Sequence, residues 1–105
     1  MKAKLTLIDS DGKDVLSLDI TVNNETVLTK NNDINYSEIK NGINSVEREE
    51  GKPDSLVLFM ETLKIFNGLN RIGSVKLVLD DDYGYEAMDV DVEELYAILV
   101  YACRT

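Results

Sequence analysis

The chain has no histidine and no tryptophan, and only one cysteine and one proline. Without histidine there is no Ser-His or Cys-His catalytic pair and no imidazole to hold a metal. The single thiol, Cys103, excludes an internal disulfide and a zinc–thiolate cluster. Long apolar runs are missing as well. The longest without a charge is nine residues, 95–103, against about 20 for a membrane-crossing helix. The N-terminus carries Lys2 and Lys4, but its apolar residues alternate with polar ones. A signal peptide needs an unbroken apolar stretch of about 7–15 residues. Positive charge is scarce: 11 Lys and Arg stand against 20 Asp and Glu, a formal net charge of −9. Such a balance argues against direct contact with nucleic acid or an anionic membrane, whose phosphates it would repel. The absences together predict a cytoplasmic protein that works without a cofactor.

What is present suits a folded domain. The chain has 105 residues, 44% of them apolar, which fits a single compact domain over 1–105.

Residues 2–22 read as a β-hairpin. Ala3, Leu5 and Leu7 share one face of the first strand, and Leu16, Leu18, Ile20 and Val22 one face of the second. Asp11-Gly12 between them is a two-residue turn signal. A turn centred there sets Leu7 opposite Leu16 and Leu5 opposite Leu18, so turn and alternation agree. It also sets Lys4 against Asp19, Thr6 against Ser17 and, unfavourably, Asp9 against Asp14. After a turn at Asn23-Asn24, a short third strand over 25–29 places Val27 opposite Ile20.

Residues 35–50 carry two signals. Asn35 with Glu38 has capping-box spacing, and Ile39, Ile43 and Val46 share a helical face. Asn41-Gly42 is instead a hairpin signal, which would put Ile39 and Ile43 on opposite faces. The helix is the preferred reading. A second helix opens at Asp54 or Ser55 and ends at Asn67-Gly68. Leu56, Phe59, Met60, Leu63 and Phe66 line its core face, and Val57, Leu58 and Ile65 widen it, which predicts the central helix. Val75, Leu77 and Leu79 form the inward side of another strand, and a loop at 81–84 returns the chain through Met88 and Val90. Asp91 then caps a last helix, with Glu94 three residues on. The predicted fold is α+β with antiparallel strands and about three helices, in the order β-β-β-α-α-β-β-α.

The last helix is apolar nearly all round. Leu95, Ile98, Leu99 and Ala102 form a core stripe, and Val100, Tyr96 and Tyr101 cover the remainder. Either the helix lies between other elements, or it packs on a second copy as a homodimer contact. Cys103 reads as a small buried apolar residue.

The charge is unevenly placed. Residues 1–76 hold 12 acids and 10 bases, whereas residues 77–105 hold eight acids and one base. The eight are Asp80, Asp81, Asp82, Glu86, Asp89, Asp91, Glu93 and Glu94, with Tyr83 and Tyr85 among them. A solvated face with helix-capping acids explains Asp91, Glu93 and Glu94. It does less for Asp80-Asp81-Asp82, because two carboxylates about 10 Å apart in water still repel by about 0.4 kcal/mol. Cation binding fits poorly: neither 80–84 nor 9–14 has the ligand spacing of a calcium loop. Paired carboxylates could serve glycosidic chemistry, but that needs a cleft, for which a chain this short leaves little room. The sharper expectation is a non-enzymatic protein-binding module. Its acidic residues, with Tyr83 and Tyr85 as anchors, would occupy a basic nucleic-acid-binding site on a partner protein. Size and charge resemble those of small acidic phage-encoded inhibitors of restriction and CRISPR nucleases, which mimic DNA; no motif carries that resemblance. The alternative is an assembly subunit that pairs through the last helix.

Overall fold

The computed structural model describes residues 2–23, 25–50, 54–81 and 84–104, with the side chains of 46–50, 54, 80, 81, 85 and 104 outside the described set. The elements are β1 (Lys2–Asp9), β2 (Asp14–Thr21), α1 (Tyr36–Glu50), α2 (Asp54–Gly68), β3 (Ile72–Asp81), β4 (Gly84–Asp89) and α3 (Val92–Arg104). The strands form one antiparallel sheet in the order β2-β1-β3-β4. The class is α+β, and the order differs from expectation only in lacking the third early strand.

Alternation decides which side of the sheet is covered. Ala3, Leu5, Leu7, Leu18, Ile20, Val75, Leu77 and Leu79 are buried on one side, together with Ile39, Ile43, Leu56, Phe59, Leu63, Leu95 and Leu99 from the helices. The other side carries Lys4, Thr6, Ser17, Asp19, Lys76 and Asp89, and there the Thr6 and Ser17 hydroxyls bond at 3.0 Å. All three helices therefore lie on one face, and the polar face stands open.

The β1–β2 register is the predicted one from Lys2↔Thr21 to Leu7↔Leu16, but the turn is different. Asp9 N–H bonds the Lys13 carbonyl at 2.9 Å and Gly12 N–H bonds the Asp9 carbonyl at 3.0 Å. Gly12 takes φ +83°, and Asp11 stays at negative φ. The connection is thus a three-residue loop with a left-handed glycine, and a bulge after Leu7 absorbs the extra residue, pairing Ile8 with Asp14. The Asp9–Asp14 clash never arises. Instead the Asp9 carboxylate accepts N–H bonds from Asp11 and Lys13, each at 2.9 Å.

No strand forms between β2 and α1 among the described residues. Val27 is buried, as a core residue should be, but in a loop. The donors that a strand would need are spent locally. Glu25 N–H bonds the Asn23 side chain at 2.9 Å, and Val27 N–H bonds the Asn23 carbonyl at 2.9 Å. Leu28 and Ile34 make one isolated bridge.

Residues 36–50 are helical, with Ile39 and Ile43 both fully buried on one face. The capping box is only half realised. Asn35 Oδ1 accepts Ser37 N–H at 3.2 Å, but Glu38 turns away from Asn35. Its carboxylate accepts Asn23 N–H at 2.8 Å and the Thr26 hydroxyl at 3.1 Å, fastening the loop to the helix. Gly42, the apparent hairpin signal, has another use. A Cβ there would stand 2.7 Å from the Thr21 carbonyl, so glycine is what lets α1 cross β2 this closely.

The start of α2 at Asp54 falls where the expected cap, Asp54 or Ser55, cannot be assigned, since the Asp54 side chain lies outside the described residues. The helix ends at Gly68, as Asn67-Gly68 predicts, but the left-handed residue lies two positions further on. Asn70 takes φ +54°, Arg71 N–H reaches the Phe66 carbonyl at 2.8 Å, and Asn70 N–H reaches that of Asn67 at 3.1 Å. That is a left-handed cap made by asparagine instead of glycine. Nor is α2 central. Leu56, Phe59 and Leu63 are fully buried, but Val57, Leu58 and Ile65 face outward. The middle position belongs to α3, which packs on both α1 and α2. This accounts for its nearly all-round apolar surface: Leu95, Leu99 and Ala102 are buried, and Tyr96, Ile98, Val100 and Cys103 half-buried.

Candidate functional site

From Glu86 onward the acidic stretch follows one border of the sheet, because β4 is an edge strand that leads directly into α3. The β3–β4 register pairs Asp81 with Gly84, Asp80 with Tyr85, Leu79 with Glu86 and Lys76 with Asp89. Of the expected binding residues, Asp82 and Tyr83 lie outside the described residues, as do the side chains of Asp80, Asp81 and Tyr85. The remaining five are all solvent-exposed: Glu86, Asp89, Asp91, Glu93 and Glu94.

These five do different things. Asp89 points to the open face, where its Oδ1 pairs with Lys76 Nζ at 2.7 Å. Asp91 is the α3 N-cap: its Oδ1 accepts Glu94 N–H at 3.1 Å, and its carbonyl accepts Leu95 N–H at 3.0 Å. Glu94 does not complete the capping box. The Asp91 N–H is taken by the Tyr36 hydroxyl at 2.8 Å, a contact spanning 55 residues. Glu93 and Glu94 sit in the first turn of α3, where negative charge complements the helix dipole. Glu86 lies on β4 with no such use in view.

No family model, curated protein or solved structure matches this chain.

Two lysines modify the acidic border, and sequence reasoning gave them no part. Lys76 was separable from the acidic stretch by position, yet the β3–β4 register places it across from Asp89. That hairpin register was the signal for it. Lys40 lies with Glu94, Tyr36, Ser37, Ile98 and Tyr101 along a shallow groove between α1 and α3. Its Nζ stands 4.8 Å from the centre of the Tyr101 ring, a cation–π contact. No local pattern could reveal that, because helix packing alone brings residues 40 and 101 together.

Among the described residues, no group of three or more Asp, Glu or Cys side chains converges on a point that would hold a metal. The arrangement is not a cage. β4 carries two acids, Glu86 and Asp89, three residues apart and so on opposite sides of the sheet, and the first turn of α3 adds Glu93 and Glu94. Charges flanking an edge strand also hinder edge-to-edge pairing with another sheet. Among the described residues, no helix is long and apolar enough to cross a membrane.

Proposed function

We propose that this chain is a non-enzymatic, cytoplasmic protein-binding module, an inhibitor whose acidic border occupies a basic nucleic-acid-binding site on a partner protein in the manner of a DNA mimic. One observation carries the reading. Eight of the 20 acids fall within 15 residues, and those from Glu86 onward belong to an edge strand and the adjoining helix start. β4 contributes Glu86 and Asp89 and the start of α3 contributes Glu93 and Glu94, a spread of negative charge suited to a groove that binds a DNA strand, whose charges recur about every 3.4 Å. Glu86, Glu93 and Glu94 are the exposed members without a side-chain bond among those described, and they belong with Asp80, Asp81 and Asp82 in the contact.

The test begins with a pull-down from the native host at low and high salt, to identify the partner. Its affinity for the chain is then measured against ionic strength. Replacing Asp80, Asp81 and Asp82 together with Asn is expected to weaken binding at least about tenfold at low salt and to flatten the salt dependence. Unchanged affinity at low salt would sink the proposal.

A further inference from the structure

The outward face of α2, with Leu69 just past its end, carries the largest exposed aliphatic residues of the described structure. Leu58 is 60% exposed, Ile65 55% and Leu69 62%, with Val57 beside them at 38%. Leu58, Thr62, Ile65 and Leu69 are spaced four, three and four residues apart, the period of a seam that packs on another helix. The opposite face of α2 is already buried through Leu56, Phe59 and Leu63. The helix is therefore apolar on two sides and has one of them uncovered. Contiguous exposed apolar patches often mark contact surfaces.

We propose that a second copy of this chain covers the face, with the two α2 helices antiparallel across a two-fold axis. The charge pattern selects this occupant. Glu61 and Lys64 are both exposed and lie three residues apart on one flank of the seam. A two-fold axis keeps that flank on the same side in both copies and reverses its direction. Glu61 of one copy then meets Lys64 of the other, twice over, which is the self-complementarity an isologous interface requires. A basic partner would find little to bind here, because α2 has only Asp54 and Glu61 as acids, against Lys64. For a like-charged copy the same neutrality is what permits approach: the described acids of residues 80–94 lie on β3, β4, α3 and the α3 N-cap, not on α2. The resulting dimer is held by apolar contact between two strongly acidic chains, so added salt screens their repulsion and tightens it. Binding at the acidic border responds to salt in the opposite direction, so failure of either proposal is visible separately.

Sedimentation equilibrium of the intact chain, from low micromolar to millimolar concentration, tests the proposal. The wild type is expected to show a monomer–dimer equilibrium that tightens with salt. Ile65→Glu is expected to weaken it about 100-fold or more. Glu61→Lys and Lys64→Glu should each weaken it several-fold, and the double exchange in one chain should restore it to within about threefold of wild type. Both charges face solvent, so all three exchange variants keep the monomer's melting temperature, measured at low micromolar concentration. Leu58→Gln repeats the Ile65 test should that variant lose stability. A wild type that stays monomeric at millimolar concentration, an Ile65→Glu chain that dimerises unchanged, or a double exchange no better than the single ones would each overturn it.

Discussion

The hydroxyl of Tyr36 accepts the backbone N–H of Asp91 at 2.8 Å. The first residue of α1 thereby satisfies the donor just before α3, and the two helix starts are held side by side. In a self-contained cap that donor would go to Glu94. Here it binds another helix, so the start of α3 and the placement of α1 depend on each other. Tyr36→Phe is expected to cost about 0.5–1 kcal/mol, since the site is exposed and water replaces part of the bond. Asp91→Ala removes the cap itself and should cost about 1 kcal/mol. Urea denaturation measures both, and the double variant should lose less than the sum if the two contacts act as one unit.

Gly42→Ala separates helix propensity from packing. In an exposed helix, alanine gains about 1 kcal/mol over glycine. Here the new methyl would meet the Thr21 backbone carbonyl at 2.7 Å, and backbone cannot swing away. The expected outcome is a net loss of about 1–3 kcal/mol. A variant more stable than wild type would show that α1 does not cross β2 as described.

Glu38 ties the 23–26 loop to α1 through two bonds. Glu38→Ala should therefore speed hydrogen exchange at Asn23 and leave exchange in β1 and β3 unchanged. The cost to overall stability should be about 1 kcal/mol. Glu38→Gln keeps one acceptor and should fall between the two.

The Asp9 carboxyl titrates below its ordinary value of 3.8, chiefly because Lys13 N–H donates to it, with Asp11 N–H and the charges of Arg71 and Lys13 adding to the effect against some desolvation. A depressed folded-state value means the contribution is complete above the unfolded value and fades as pH falls through the folded one. The stability gap between wild type and Asp9→Ala should hold steady from neutral pH to about 4 and narrow below that. Thermal unfolding at a series of pH values reads it directly. A gap that widens on acidification contradicts the turn geometry.

Much of the fold was legible because alternation and helical spacing are local. Leu5, Leu7, Leu18 and Ile20 had to share a face, and so did Val75, Leu77 and Leu79; the β1–β2 register follows from alternation and turn, whereas the pairing of β1 with β3 joins segments more than 60 residues apart and no local pattern contains it. Ile39 and Ile43 were enough to prefer a helix over the Asn41-Gly42 turn. Where the reading failed, two local options were nearly equal in energy. Asp11-Gly12 suits a two-residue turn or a three-residue loop, and the loop relieves the Asp9–Asp14 repulsion. Asn67-Gly68 and Asn70 both suit a left-handed cap. Residues 25–29 could extend or curl, and Glu38, 15 residues from Asn23, decided for the curl.

The acidic border divides along the same line. That residues 80–94 are rich in carboxylates, and that Asp91 caps a helix, is determined by the sequence itself, since charge count and cap position need only neighbouring residues. That β4 is an edge strand, that Lys76 holds Asp89 and Tyr36 holds Asp91 was decided by tertiary structure. The same is true of the helix left with an open apolar side. Sequence spacing assigned the central position to α2 from its many aliphatics, and packing gave it to α3. An apolar side chain records that something should cover it; whether its own chain does so depends on which helices reach the sheet first, and no local pattern contains that information.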